Sequence, residues 1–362
     1  MLHLAYYVSG HGFGHAVRSA QVMLRLLARC PAMHIHVRTT APPVIFGPPN
    51  DRLSVQSVDV DSGAAELNPL DIDIPGTQRR VRDLLARRES VVSSEAHYLH
   101  QHGVKAIVGD VPYLAGYIAA AAGLPCVLVG NFTWDWIYEP FFANSKAHDL
   151  SEFVTQGYAR VQTLLRLPFS HRVSSIAEVI DVPLIARQPQ RSRHAIRRQL
   201  ALEDEKRPLI LSGTRGGLPD GVLERVAADT RDLMILAIDQ PSPTQLENVR
   251  HITLGTQLTF PELLCACDAV VSKLGYGIVS EAIANGTRLL WPARTNFRED
   301  EILGSAIQHW LPAREIPRSD FTAGHWRYHL ESLLQLPIAA EVPDTSGADA
   351  CALHVLKIAD GR

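Results

Sequence analysis

Twice in this chain a short apolar run breaks into a cluster of glycines that opens directly onto helical spacing, and few folds accommodate that pattern. The first instance is Leu2-His3-Leu4-Ala5-Tyr6-Tyr7-Val8, then the turn Ser9-Gly10-His11-Gly12-Phe13-Gly14-His15, then apolar positions Val17, Ala20, Met23, Leu24 and Leu27. The second is a strand-like run from Leu264 to Ser272, the turn Lys273-Leu274-Gly275-Tyr276-Gly277, and a helical pattern from Ile278 to Gly286. A strand that feeds a helix through glycines is the unit of doubly wound α/β sheets. The new helix aims unpaired N–H groups and its positive dipole end at an anion, and Gly275 and Gly277 let the backbone come close. Lys273 adds charge, and Glu281, one turn further on, is placed to accept hydrogen bonds from a ribose diol. Together these parts suit a sugar nucleotide.

The rest of the chain alternates in the same way. Strand signals at His34 to Thr39 and Leu53 to Val60 precede a polar loop from Asp61 to Gly76 and an Arg-rich helix from about Thr77 to His102. A buried strand, Ala106-Ile107-Val108-Gly109, ends at Asp110; a helix over Tyr113 to Ala122 and a strand over Cys126 to Val129 follow. A Pro- and Arg-rich linker runs from Asp181 to Arg193, after which the pattern restarts with Leu209-Ile210-Leu211-Ser212. Short buried runs between helices predict two mostly parallel, doubly wound Rossmann-like domains, 1–185 and 186–362, facing a cleft. The helix from Asp349 to Ala359 is free to pack back on the first domain. At 362 residues the length exceeds a single core, and 46% hydrophobic residues suffice for two buried sheets.

Composition excludes several classes of function. A net charge of −3 argues against nucleic acid as the partner. No apolar run approaches the roughly 20 residues needed to span a bilayer, so a cytoplasmic protein with no integral membrane segment is expected. The five cysteines, mostly in apolar stretches, read as buried free thiols, and Cys265-Ala266-Cys267 is too tight for a zinc pair. The first turn reads G-x-G-x-x-H, short of the third glycine of a dinucleotide site, and no ribose-binding acid follows the second strand at Thr39-Thr40. Neither a P-loop nor a G-x-S-x-G elbow occurs.

The stretch from Asn248-Val249-Arg250 through Asp268-Ala269-Val270-Val271-Ser272, Gly275-Tyr276-Gly277, Ser280-Glu281-Ala282, Gly286 and Trp291-Pro292 resembles the donor-binding signature of GT-B glycosyltransferases. The likeness is to the N-acetylglucosaminyltransferase that completes lipid II and to UDP-glycosyltransferases. Four further stretches, Tyr7-Val8-Ser9-Gly10-His11-Gly12-Phe13-Gly14-His15-Ala16, Asp61-Ser62-Gly63-Ala64, Gly109-Asp110-Val111-Pro112, and Asn131 to Tyr138, resemble the glycosyltransferase-like region that precedes the kinase domain of plant L-arabinokinases. This sequence lacks that sugar-kinase domain, so the resemblance does not imply kinase activity.

The resemblance implies roles for particular residues, each with a plainer alternative. His15 matches the proposed general base of the lipid II enzyme, since an acceptor hydroxyl must lose its proton and imidazole titrates near neutrality; otherwise it caps its helix. Asp110 orients His15 or takes the proton, or caps the helix from Tyr113. His11, Asn131, Trp134 and Asp135 fit contacts to a sugar or acceptor, although Trp134 and its neighbour Trp136 equally suit packing at a domain interface. Glu299 and Asp300 stand where relatives hold donor hexose hydroxyls, yet acids at a helix start look the same. Gly12, Gly14, Thr214 and Arg215 complete the diphosphate contacts, and Thr256-Gln257 occupies the place where relatives hold the base through backbone groups. The expectation is an inverting glycosyltransferase, independent of metal and cofactor, moving a sugar from a nucleoside diphosphate sugar, UDP favoured, to an unidentified hydroxyl acceptor. An epimerase or hydrolase of the same fold, and a non-catalytic sugar-nucleotide sensor, remain as alternatives.

Overall fold

Strands that must be covered on both faces carry almost no polar side chains, and the first strand shows it: from Leu4 to Val8 every residue is buried. The computed structural model describes residues 1–143, 147–213, 218–238, 246–255, 257–338 and 341–359. Among them the strands are β1 (Leu2–Val8), β2 (Met33–Arg38), β3 (Leu53–Gln56), β4 (Glu66–Asn68), β5 (Asp71–Ile72), β6 (Val104–Asp110), β7 (Cys126–Gly130), β8 (Thr163–Arg166) and β9 (Glu178–Asp181). There follow β10 (Leu209–Ser212), β11 (Met234–Ile238), β12 (Val249–Ile252), β13 (Ala269–Val271), β14 (Arg288–Trp291) and β15 (Ala313–Glu315).

The described residues divide into two compact units. The first comprises Met1–Glu66, Ile72–Ile185 and Asp344–Arg362; the second comprises Leu67–Asp71 and Ala186–Pro343. In the first, a seven-stranded parallel sheet has the order β3-β2-β1-β6-β7-β8-β9; in the second, a six-stranded parallel sheet has the order β12-β11-β10-β13-β14-β15. Both sheets run outward for three strands and then return to the other side of the first. The reversal falls between β1 and β6 in one unit and between β10 and β13 in the other, and the crevice beyond the strands' carboxyl ends at such a reversal is where ligands bind in doubly wound sheets.

The second core packs Val222, Val226, Ile235, Ala269, Leu290 and the fully buried Trp326 onto one face of its sheet. In the first unit the C-terminal helix, Gly347–Ala359, lies against the helix Gly14–Arg29, burying Cys351 and Ala352, while Asp349 receives Arg29 at 2.7 Å. All five cysteines are free, and three of them, Cys126, Cys267 and Cys351, are buried.

Several elements differ from the sequence reading. The apolar run from Leu264 is not one strand: Leu264 to Ala266 close a helix, Phe260–Ala266, and only Ala269–Val271 are extended. A capping box between Thr259 and Glu262 and a proline in the first turn start that helix, and together they outweigh the strand-like composition. The Arg-rich helix begins earlier, at Ile74, because Asp73 caps it by accepting from the Gly76 N–H. The strand after the Pro-rich bend stops at Gln56. Strands β8, β9 and β15, each four residues or fewer, carry too little pattern to be read in advance. No helix among the described residues is long and apolar enough to cross a membrane.

Candidate functional site

At the end of β1 the chain leaves the sheet through Ser9 and Gly10. A Cβ at Gly10 would stand 1.9 Å from Thr40 Oγ1, so a glycine is what fits; Gly12 takes φ +69°, the left-handed region. The helix Gly14–Arg29 then starts, with Phe13 as its N-cap and no side-chain cap. Its second residue, His15, is therefore no cap. It turns inward, and its Nδ1 lies 2.8 Å from Oδ1 of Asp110, the fully buried last residue of β6. Nor does Asp110 cap a helix, because the one that follows is Leu114–Ala122 with Tyr113 as N-cap.

Asp110 is gripped from several sides. Arg18, one turn after His15, donates from Nε to Oδ2 at 2.8 Å and from Nη2 to Oδ1 at 2.6 Å. Ser19 Oγ donates to Oδ2 at 3.0 Å, and Arg18 Nη1 donates to Asn131 Oδ1 at 2.9 Å. Burial alone would push the Asp110 carboxyl up, but the charge and hydrogen bonds of Arg18, followed by those of His15, outweigh it and hold it at about 2. Two groups meet His15 Nδ1, the ionised Asp110 carboxylate at 2.8 Å and Arg18 Nη2, a donor only, at 3.2 Å; the shorter contact, to an acceptor, favours the ring proton on Nδ1 and the lone pair on Nε2. The next residue, Val111, has φ +55°, costly for a β-branched side chain, in a backbone that Tyr158 clamps by donating to its carbonyl at 2.6 Å.

Around this pair stand the other candidates of the first unit. The His11 ring meets the Trp134 ring edge-on at 5.3 Å, and a Cβ at Gly63 would lie 2.5 Å from His11 Cβ. Trp134 has no exposed surface: it stacks on Tyr138, tilts toward His15 with ring centroids 6.2 Å apart, and donates Nε1–H to Asp61 Oδ2 at 2.9 Å. Its part in the site is thus as a wall and a donor, while Trp136 stacks on His171. Asp135 accepts from the Trp136 N–H. Sequence reasoning assigned nothing to Arg18, Ser19 or Asp61. Arg18 was visible as the i+3 neighbour of His15, and Asp61 lay inside a quoted motif, but nothing in one dimension pointed either at Asp110 or Trp134. Burial pushes Asp61 up to about 6, against the pull of Ser9, His15 and Trp134.

In the second unit β13 ends at Val271 and the helix Tyr276–Asn285 starts at Gly275, its N-cap. Gly275 is extended (φ 174°), and a Cβ there would meet nothing within 4 Å, so neither backbone strain nor protein packing demands the glycine. Lys273, Gly275, Tyr276 and Gly277 gather at this helix start. Glu281, on the next turn and buried, is held by Arg187, whose Nε donates to Oε1 at 2.5 Å and Nη2 to Oε2 at 3.1 Å. Glu299 and Asp300 are also buried and engaged: Arg294 donates its backbone N–H to Asp300 Oδ2 at 2.9 Å and its Nε to Oδ1 at 2.9 Å, with Nη2 3.4 Å from Glu299 Oε2. The Gln257 carbonyl accepts from Arg191 and Gln199. Thr214, Arg215 and Thr256 lie outside the described residues.

No family model matches the chain. It is 31% identical over 360 residues to L-arabinokinase of Arabidopsis thaliana, an alignment that covers 98% of this chain and 34% of that protein; the chain thus spans about a third of its curated relative. Among solved structures it resembles Phytolacca americana UGT2 in complex with UDP-2-fluoro-glucose and pterostilbene, at TM-score 0.63, 13% identity, 99% coverage of this chain and 94% of that one. It also resembles the glycosyltransferase of kitacinnamycin, at TM-score 0.65, 15% identity, 99% and 97% coverage. The fold is GT-B.

Proposed function

We propose that the protein is a glycosyltransferase that moves a sugar, with inversion and without a metal ion, from a nucleoside diphosphate sugar to a hydroxyl acceptor. The observation that carries this reading is the buried 2.8 Å contact between His15 Nδ1 and Asp110, which leaves Nε2 free to accept a proton at the carboxyl ends of β1 and β6. The acceptor O–H gives its proton to Nε2, its oxygen attacks the anomeric carbon, and the bond to the diphosphate breaks with the electron pair leaving on the phosphate. The second unit holds the donor: Lys273 and the N-terminus of the helix Tyr276–Asn285 neutralise the diphosphate, Gly275 lets it approach, and Glu281 takes the ribose. UDP is the favoured carrier, in line with the UDP-2-fluoro-glucose bound by the Phytolacca relative. His11, Asn131 and Asp135 contribute to the acceptor side, with Trp134 behind them.

The test compares the parent with His15→Ala. UDP should raise the melting temperature of both, while release of UDP from a UDP-sugar should depend on an added acceptor in the parent and vanish in the variant. Release at the same rate without acceptor would point to a hydrolase or epimerase. Binding with no turnover across an acceptor panel would point to a sensor.

A further inference from the structure

We propose that Asp61, rather than Asp110, supplies the uncompensated negative charge that stabilises His15 once it has taken a proton. The proposal rests on the reading of His15 as the base. Asp110 faces His15, but Arg18 places one guanidinium nitrogen on each of its oxygens, so its charge is cancelled within the buried cluster. Asp61 has no such partner among its hydrogen bonds. It accepts the Trp134 Nε1–H, and its other polar neighbour is Ser9, whose Oγ in turn accepts the His11 backbone N–H. The indole of Trp134 that touches Asp61 also packs against the rings of His11 and His15, so carboxylate and imidazole share one aromatic wall.

The titratable groups around Asp110 and Asp61 add no charge of their own. Tyr6 on β1, Tyr113, Tyr138 and Tyr158 are pushed up by burial and stay neutral, as does the Cys351 thiol of the C-terminal helix. Asp59, near Asp61, pairs with Arg87. Ser19, Asn131 and Phe132 are uncharged. Apart from the imidazoles, one guanidinium stands against two carboxylates, leaving a single negative charge, and a proton taken up by His15 would bring the sum to zero. A buried, costly carboxylate beside a neutral base is what a site needs if its transition state carries an imidazolium.

A purely structural Asp61 is the competing account, and the two predict different titrations. In the full-length protein, long-range proton–nitrogen correlations of the His15 ring read its protonation directly against pH, with neither donor nor acceptor present. Asp61→Asn keeps an oxygen for the Trp134 N–H but removes the charge, and should move the His15 titration to lower pH by about one unit or more, a tenfold loss of proton affinity. Trp134→Phe removes the hydrogen bond but keeps the charge, and should leave that titration within about 0.3 unit of the parent. The proposal is overturned if Asp61→Asn moves it by less than that, or if Trp134→Phe moves it as far as Asp61→Asn does. Failure of the transferase reading would appear separately, as absent turnover with this titration unchanged.

Discussion

Arg187 holds Glu281 by two hydrogen bonds, Nε to Oε1 and Nη2 to Oε2, and so fixes the carboxylate expected to take the ribose before any nucleotide arrives. The carboxylate is almost wholly buried and the guanidinium partly so. Removing the cation therefore takes two donors and a positive charge from a carboxylate in low dielectric. Arg187→Met should cost about 2–3 kcal/mol in urea unfolding, below the full buried-pair penalty because solvent reaches Arg187. Adding Glu281→Gln should recover most of that loss. Additive costs in the double variant would show that the two side chains do not depend on each other.

Asp110 carries a heavier structural burden. Asp110→Asn takes from Arg18 the carboxylate that accepts two of its hydrogen bonds inside the buried cluster and should destabilise by about 3–5 kcal/mol, whereas His15→Gln should cost about 1 kcal/mol or less. The carboxyl sits at about 2 in the folded chain, below its unfolded value, so its contribution is present above pH ~4 and fades as pH falls toward 2. Denaturation midpoints across that range, parent against variant, would measure it, and a parallel pair of curves would contradict it.

Asp61 works in the opposite sense. Its folded value near 6 lies above the unfolded one, so the native state binds the proton more tightly and stability is lost as pH rises from about 4 to about 6. Asp61→Asn lacks that loss. Its stability relative to the parent should climb by up to about 3 kcal/mol between pH ~4 and pH ~8. A constant offset, read by urea unfolding at both ends of the range, would mean that Asp61 titrates alike in the folded and unfolded chain.

Gly275 separates a demand of the ligand from a demand of the fold. Its backbone is extended and its Cβ position is open, so Gly275→Ala should change stability by no more than about 1 kcal/mol. A methyl group there would stand where the diphosphate is proposed to approach, and UDP affinity by calorimetry should drop about tenfold or more, some 1.4 kcal/mol. Unchanged affinity would move the phosphate elsewhere.

Much of this molecule was legible from residue order because buried strands, glycine turns and helix starts are local. Both strand–turn–helix units, the parallel sheets and His15 at the head of its helix follow from apolar runs and glycines only a few positions apart. Where the local signals conflicted, as from Phe260 to Val271, the capping box decided, and composition misled. Short strands such as β8 and β15 were silent because three or four residues do not make a period.

Pattern alone thus determined that two doubly wound sheets form and that glycine turns cluster at their carboxyl ends. Which acid meets which base was decided only in three dimensions. Asp110 is 95 residues from His15, and Asp61 is 73 from Trp134; each pair meets only because β6 returns to lie beside β1 and the loop after β3 folds onto the helix Trp134–Tyr138. The identity of the cation that neutralises Asp110, Arg18, is set by the same packing. A hydrogen bond selects its partner by proximity and desolvation, and neither is encoded in the spacing of residues along a chain.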